Sequence, residues 1–410
     1  MAALYQFFIA LFSIFIGIAA LFSYKAKVWI DGRRDWKKQL SDAFSRKDKI
    51  CWFHAASLGE FEQGKPVIEA FRKTYPEYRI LLTFFSPSGY EQKKNYKGVD
   101  KVMYLPADCK RNAVFFVRNL NPSLAVFIKY EFWYNYLDQL NKHNVPVVFI
   151  SSLFRKNQFF FQWYGGWFRK RLKNIDHFFV QNENSASLLK NSGIHQVTVS
   201  GDTRFDRVAD ILNTKREDPG VKAFCEGSRV IIAGSTWPPD ETILSGLAGK
   251  FPELKLIIAP HEVNEERVRQ IIKTLGVPAA RYTEAGRDSR TGKNVLIIDT
   301  IGILSAIYQY ADIAYIGGAF ATGLHNIQEP AVNGIPVIFG PKYQKFREAA
   351  DLVEKGGAYS VGSSSELQDI VRSLLSDQKK YQLACKVSKQ YMLANTGATT
   401  KIMEKLATLL

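Results

Sequence analysis

Two stretches of this 410-residue sequence set a carboxylate just past the end of a short apolar run. In the first, Ile50 to Ala55 leads into Ala56-Ser57-Leu58-Gly59-Glu60-Phe61-Glu62, where a helical pattern begins. A strand-to-helix turn with a glycine is where α/β domains present functional groups, and a helix N-terminus favours an ionised carboxylate. Held there, Glu60 is suited to take a proton from an attacking hydroxyl. The plainer alternative is that Glu60 or Glu62 only complements the helix dipole. In the second stretch, Leu124 to Ile128 leads into Lys129-Tyr130-Glu131-Phe132-Trp133. A lone Glu131 reads as a helix-start residue, and it gains interest from a strand-end position on the same rim as Glu60.

The second half offers polar backbone rather than acids. Gly317-Gly318-Ala319-Phe320-Ala321-Thr322-Gly323-Leu324-His325-Asn326-Ile327-Gln328-Glu329-Pro330 joins a strand candidate to a helix candidate. Glycine lets a ligand approach the backbone, Asn326 can cap a helix whose free N–H groups meet a phosphate, and Glu329 can accept from ribose hydroxyls. The segment lacks the Lys-Ser/Thr ending of a Walker A loop and does not match G-x-G-x-x-G, and glycine-rich turns are as often structural as ligand-binding. Gly234-Ser235-Thr236 and Ala259-Pro260-His261 also follow strand candidates, so three such sites on one rim point to a nucleotide.

Positioning these groups requires strand ends brought side by side. Strand candidates in the first half are Ile50 to Ala55, Arg79 to Phe84, Val102 to Leu105, Leu124 to Ile128, Val145 to Ile150, His177 to Val180 and Val197 to Val199. Each is short and continuously apolar, as in parallel sheets covered on both faces, with Gln63 to Thr74 and Phe132 to His143 as crossover helices. A polar segment from Asp210 to Gly220, including Lys215 and Arg216, reads as a linker. Beyond it come Val230 to Ala233, Leu254 to Ile258, Val295 to Ile298, Ile313 to Ile316 and Pro336 to Phe339. The pattern predicts two doubly wound α/β domains with a ligand cleft between them.

At 46% hydrophobic and 23% charged residues the chain is globular, which excludes disordered, collagenous and fibrous classes. Cys51, Cys109, Cys225 and Cys385 are dispersed without zinc-like spacing and read as buried thiols in a reducing compartment. With 55 Lys+Arg against 39 Asp+Glu, the net charge of +16 asks for an acidic partner. Ala2 to Tyr24 carries no charge and is about long enough to cross a bilayer, and Lys25, Lys27, Arg33, Arg34, Lys37 and Lys38 follow it. That asymmetry predicts an uncleaved anchor, serving only as an anchor, with the rest of the chain in the cytoplasm. Arg155 to Lys173 mixes aromatic rings with cations, and Arg169, Lys170, Arg171 and Lys173 are the expected contacts to an anionic membrane surface. The alternatives are aromatics buried in the core, or base stacking, which the apolar N-terminus disfavours.

The ordered set Trp52-Phe53-His54-Ala55-Ala56-Ser57-Leu58-Gly59-Glu60, Glu131-Phe132-Trp133, Ser200-Gly201-Asp202-Thr203-Arg204-Phe205-Asp206, His325-Asn326-Ile327-Gln328-Glu329-Pro330-Ala331 and Gly334-Ile335-Pro336-Val337 is specific as a whole. In these motifs the sequence resembles the bacterial 3-deoxy-D-manno-octulosonic acid (Kdo) transferases. The resemblance implies a GT-B fold of two Rossmann-like domains facing a central cleft, behind an N-terminal transmembrane helix. It implies an anchor at 1–24, an acceptor-binding domain at 25–212, a CMP-Kdo-binding domain at 213–386, and a helix at 387–410 crossing back to the first domain. Glu60 becomes the proton acceptor, with Glu131 and Arg204 supporting the transition state. The donor is held by Pro260, His261, Ile301, Gly302, Ile303, Asn326, Ile327, Gln328 and Glu329, beside the strand-end residues Ser235, Thr236 and Gly318.

The family often has Arg before His261 and Lys in place of Arg204, so this chain departs from it at two points. Arg204 suits a donor carboxylate or departing phosphate, with an ion pair to Asp202 or Asp206 as its alternative. No D-x-D pair is present and CMP leaves as a monophosphate, so neither metal nor cofactor is expected, and a single base argues for displacement with inversion. The implied partners are CMP-Kdo, a lipid A precursor and an anionic membrane surface, without nucleic acid, at the cytoplasmic side of the inner membrane. The alternatives are another membrane-anchored GT-B glycosyltransferase, or a relative that binds nucleotide-sugar or lipid without catalysis.

Overall fold

The computed structural model describes residues 1–213, 217–284, 292–321 and 323–410. Lys215 and Arg216 of the expected linker and Thr322 of the glycine-rich segment lie outside the described residues. The chain divides into two compact units, Met1–Arg207 with Thr396–Leu410, and Val208–Asn395.

The first unit is built on β1 (Lys49–Ala55), β2 (Tyr78–Phe84), β3 (Lys101–Tyr104), β4 (Leu124–Ile128), β5 (Val147–Ser152), β6 (His177–Val180) and β7 (Val197–Val199). They form one sheet in the order β3-β2-β1-β4-β5-β6-β7, and every pairing is parallel. Its helices are α1 (Ala2–Ala19), α2 (Tyr24–Asp31), α3 (Trp36–Ala43), α4 (Leu58–Thr74), α5 (Pro87–Lys93), α6 (Lys110–Leu120), α7 (Tyr134–Lys142), α8 (Gly166–Leu172) and α9 (Glu183–Asn191). Helix α10 (Arg204–Asn213) leads out of the unit.

The continuous apolar runs have the expected cause. In β1, Ile50 and Trp52 enter one core while Cys51, Phe53 and Ala55 enter the other, so both faces are covered. Each large side chain so buried contributes about 1.5–3 kcal/mol. Gly64 lets α4 lie directly on the sheet, because a Cβ there would meet Ile128 Cδ1 at 2.1 Å. That close approach sets the start of α4 beside the loop that leaves β4.

Helix α1 is long and apolar enough to cross a membrane by length and composition, and none of its residues is buried. Its side chains also bind the rest of the first unit. The Tyr5 hydroxyl donates to Asp108, Gln6 donates to Asn135, and Phe12 stacks on Phe85 with ring centroids 6.1 Å apart. Asp108 also accepts from the backbone N–H groups of Asn135 and Tyr136, each at 3.1 Å, and burial pushes its pKa up to about 7. The expectation of a purely membrane-directed segment overlooked this buried acceptor, which Tyr5 serves.

The second unit is built on β8 (Arg229–Thr236), β9 (Leu254–Pro260), β10 (Ala279–Arg281), β11 (Val295–Ile297), β12 (Ile313–Ile316), β13 (Val337–Phe339) and β14 (Ala358–Ser360), parallel throughout in the order β10-β11-β9-β8-β12-β13-β14. Its helices are α11 (Pro219–Cys225), α12 (Pro238–Ala248), α13 (Glu265–Leu275), α14 (Leu304–Ile307), α15 (Gln328–Val332), α16 (Arg347–Lys355), α17 (Ser364–Ser376) and α18 (Gln378–Ala394). The last helix, α19 (Ala398–Leu406), belongs to the first unit, where Ile402 and Leu406 join the core of β1 and α4. The return thus begins at Thr396, where the next residue, Gly397, turns at φ +99° and Asp206 accepts from the N–H groups of Gly397 and Thr399. Residues 387–394, expected in that helix, remain on α18, which buries Ser388 and Met392 within the second unit.

Candidate active site

Ser57 ends the turn after β1, and Glu60 is the third residue of α4. A Glu Oε accepts from the Ser57 N–H at 3.0 Å, a capping box. The helix-capping alternative therefore accounts for one of its oxygens, but Glu60 is also 7% exposed, and burial raises its pKa against the opposing pull of Lys129. Glu62, the other acid of the motif, is tied to Lys93 at 3.3 Å and to Arg207. Of the two, Glu60 is the one not neutralised by an ion pair.

Glu131 reaches the same site. Its pKa is pushed up to about 8, first by burial and then by the negative charge of Glu60, while Lys129 pulls it down. At neutral pH Glu131 thus holds a proton beside Glu60. Lys129, at φ +65°, joins these two acids as a third member that sequence reading did not select. Its signal was present in the motif but only as a residue two positions before Glu131.

The two loops are joined through His54. Trp133 Nε1 donates to His54 Nε2 at 2.9 Å, so the other ring nitrogen carries the proton and donates to Thr83 Oγ1 at 2.9 Å. Trp52 Nε1 donates to the same hydroxyl at 2.8 Å. Complete burial holds His54 neutral, with its pKa pushed down to about 3. The residue that opens the Glu60 turn thereby fixes the loop that carries Glu131.

Arg204, at the start of α10, makes its ion pair with Asp202: Nε and Nη2 lie 2.9 and 2.7 Å from one carboxylate oxygen. Asp206 is occupied instead by the turn before α19. The guanidinium side chain is still 38% exposed.

In the second unit, the turns after β8, β9 and β12 come together. Trp237 Nε1 donates to His325 Nε2 at 3.0 Å, and the His261 ring stacks against both, 4.8 Å from Trp237 and 4.5 Å from His325. The His261 N–H donates to the Thr236 carbonyl at 3.0 Å, and that of His325 to Gly317 at 3.2 Å. Burial and the neighbouring His261 push the pKa of His325 down to about 4. Gly317 is required by closeness, since a Cβ would meet the Ser235 carbonyl oxygen at 2.3 Å; Ser235 itself sits at φ +54° on a bulge of β8. Asp240 binds the assembly, accepting from Trp237 N–H at 2.9 Å, Gly318 N–H at 3.0 Å and the Tyr315 hydroxyl at 2.8 Å.

The expected donor residues divide. Pro260, His261, Gly318 and the backbone of Ser235 and Thr236 belong to this assembly. The Thr236 hydroxyl turns inward and donates to Glu241 at 2.9 Å, which Arg267 also pairs with, so only its main chain faces the turn. Asn326 accepts from Gln328 N–H at 3.0 Å and donates to Glu329 at 3.1 Å, but the N-cap of α15 is Ile327, without a side-chain cap, and the helix has only five residues. Ile327 and Gln328 are buried, and Gln328 Nε2 has no acceptor among the described residues. Ile301 is 82% exposed on a separate loop, where Gly302 (φ +93°) and Ile303 precede α14. Leu304 and Tyr308 approach Gly234, which links that loop to the turn after β8.

The Arg155 to Lys173 surface is also mixed. Arg169 donates to the Phe160 and Gln162 carbonyls, and Arg171 pairs with Asp138 at 3.0 Å over the Trp167 ring, which leaves Lys170 and Lys173 exposed. Phe160 is core, whereas Trp163 is 89% exposed. Among the described residues no group of three or more His, Cys, Asp or Glu could hold a metal ion.

Residues 33–207, which include Glu60, Glu131 and Arg204, match the family model described as 3-Deoxy-D-manno-octulosonic-acid transferase (kdotransferase). The 3-deoxy-D-manno-octulosonic acid transferase of Chlamydophila psittaci is 26% identical over 339 residues, which is 80% of this chain and 77% of that protein. That of Haemophilus influenzae is 27% identical over 374 residues, 87% of this chain and 86% of that protein. In fold, the chain is similar to a UDP-GlcNAc 2-epimerase from Neisseria meningitidis bound to UDP-GlcNAc, with a TM-score of 0.62, 17% identity, and coverage of 88% of this chain and 100% of that one. That likeness concerns the architecture, two parallel-sheet units of the GT-B kind.

Proposed function

We propose that this chain, a glycosyltransferase related to the Kdo transferases along most of its length, transfers Kdo from CMP-Kdo to a hydroxyl of a lipid A precursor. The observation that carries the reading is the Glu60, Glu131 and Lys129 group, which lies inside the segment matched by the family model. Glu60 takes the proton of the acceptor hydroxyl, and its raised pKa makes it the stronger base. The acceptor oxygen forms a bond to the anomeric carbon from the face opposite CMP. The bond from that carbon to the phosphate oxygen breaks, CMP departs with the bonding pair, and the configuration inverts.

Glu131, protonated at neutral pH, can donate a hydrogen bond to developing negative charge, and Arg204 supplies a partly exposed cation for a donor carboxylate or phosphate. The aromatic and histidine assembly of the second unit, with the N–H groups of its turns, suits the cytidylate. The apolar α1 and the cations after it support an inner-membrane location with both units on the cytoplasmic side. Incubation of the purified chain with CMP-Kdo and a lipid A precursor should add the mass of Kdo to the lipid in a mass spectrum. An unchanged lipid mass, with the donor intact, would overturn the reading.

A further inference from the structure

We propose that the groove between α3 and α6 binds the phosphate headgroup of an anionic membrane lipid, through residues distinct from both candidate loops. The groove is an open depression of 840 Å³ lined by Lys37, Arg46, Lys110, Arg111 and Arg118, with Phe115 as its apolar wall and no carboxylate. Among the described residues, none of these five cations is in an ion pair, while Arg72, Arg79, Arg171 and Arg207 of the same unit all are. A second cavity of 460 Å³ shares Lys37 and Arg111, adds Arg34 and Lys38, and contains one acid, Asp35.

Three of the five, Lys37, Lys110 and Arg111, stand where the helices least favour them, while Arg118 lies in the last turn of α6. Lys110 and Arg111 open α6, and Lys37 and Lys38 lie in the first turn of α3; neither turn has an acidic residue. The positive end of a helix repels cations, and like charges across a groove repel one another. An anionic ligand removes both penalties, and a phosphate matches the fork of several guanidinium groups. Lys37 is held against the wall, its Nζ 4.8 Å from the Phe115 ring centroid, and Trp36 packs edge-on to that ring at 5.3 Å.

The face on which the groove lies selects a lipid as the source of the phosphate. Helices α3, α6, α7 and α8 cover one face of the first sheet, sharing a core that includes Trp36, Leu40, Phe116, Leu137 and Leu172, and Tyr5 of α1 packs against the same core. From that layer α1 exposes Phe7, Phe8, Ile14, Phe15 and Ile18. Exposed apolar side chains and unpaired cations on elements that pack on one core are the pattern of a surface at the headgroup boundary of a bilayer.

The test uses the full chain in neutral detergent micelles doped with phosphatidylglycerol, with bound lipid measured against its mole fraction. Replacing Lys37, Arg111 and Arg118 together with Ser should weaken retention about 10²-fold, since each interfacial cation is worth about fivefold. Arg118→Glu alone, on an exposed position, should weaken it in the same direction and guards against a misfolded triple variant. Inorganic phosphate in excess of the lipid should fail to displace it. Parental retention in both variants would overturn the proposal, and so would displacement by inorganic phosphate, which would make the groove a site for a free anion. The outcome is independent of Kdo transfer, which is read on separate substrates.

Discussion

Each unit places a carboxylate at the third position of the helix after its first strand, and in each the acid accepts from the backbone N–H at the head of the turn: Glu60 from Ser57 and Asp240 from Trp237. Beyond that shared bond they diverge. Asp240 is fully buried and accepts two further hydrogen bonds, from Gly318 and Tyr315, which hold the glycine-rich turn in place. Glu60 instead faces Glu131 and Lys129 and keeps part of its surface open. Burial raises the pKa of both acids, but Asp240 spends its oxygens on the turn of another strand, whereas Glu60 is bonded only within its own turn, by Ala56 and Ser57, and can still exchange a proton with a ligand.

The largest effect should come from separating these roles. Glu60→Gln retains an oxygen for the Ser57 N–H but has no proton affinity, so turnover should fall roughly 10² to 10⁴-fold while the melting temperature stays close to that of the parent. Asp240→Ala should do the reverse, leaving three buried donors without an acceptor at a cost of about 3 kcal/mol, seen as a lower melting temperature and a weaker donor KM. Near-normal turnover in the first variant, or an unaffected melting temperature in the second, would erase the distinction.

A smaller effect concerns Glu131. With a pKa of about 8, it keeps its proton at neutral pH and loses it as the pH rises through that value. If the protonated form donates to the reacting charge, activity falls above about pH 8, and the high-pH limb belongs to Glu131. Glu131→Gln keeps a neutral donor, so at pH 7 it should cost no more than about tenfold while flattening that limb. A pH profile unchanged by the substitution would remove Glu131 from this role.

What the sequence disclosed follows the reach of each interaction. Continuous apolar runs such as Leu124 to Ile128 announced the strands, because burial on both faces is a local property. The edges were harder. Ala279–Arg281 and Ala358–Ser360 are strands only through pairing with β11 and β13, and three residues carry no periodicity. Glu60 was legible from a helix-start pattern, whereas Asp240 was not, since its meaning depends on Tyr315 and Gly318 far along the chain. The same limit applies to Tyr5: inside an apolar run it reads as part of an anchor, and its partner Asp108 lies 103 residues away.

The finest contrast lies in the two tryptophan and histidine pairs, Trp133 with His54 and Trp237 with His325, nearly equal in length at 2.9 and 3.0 Å. Both histidines are held neutral, at about 3 and about 4. A free histidine takes up a proton below about 6.5. The unfolded chain therefore binds more protons than the folded one below that pH, and each pair loses stability as the pH falls toward the folded value. The pairs differ in access to water: His54 is 0% exposed, while His325 is only partly buried. Trp133→Phe leaves a completely buried acceptor without its donor and should cost about 1–3 kcal/mol, whereas water can replace the lost indole at His325, so Trp237→Phe should cost about 1 kcal/mol or less. Because the two units need not unfold together, the measurement is hydrogen exchange resolved by peptide. Faster exchange in β1 and β4 for the first variant should exceed that in β8 and β12 for the second. An equal or reversed order would mean that burial does not set the strength of these pairs, and that His54 holds the Glu131 loop no more tightly than His325 holds the glycine-rich turn.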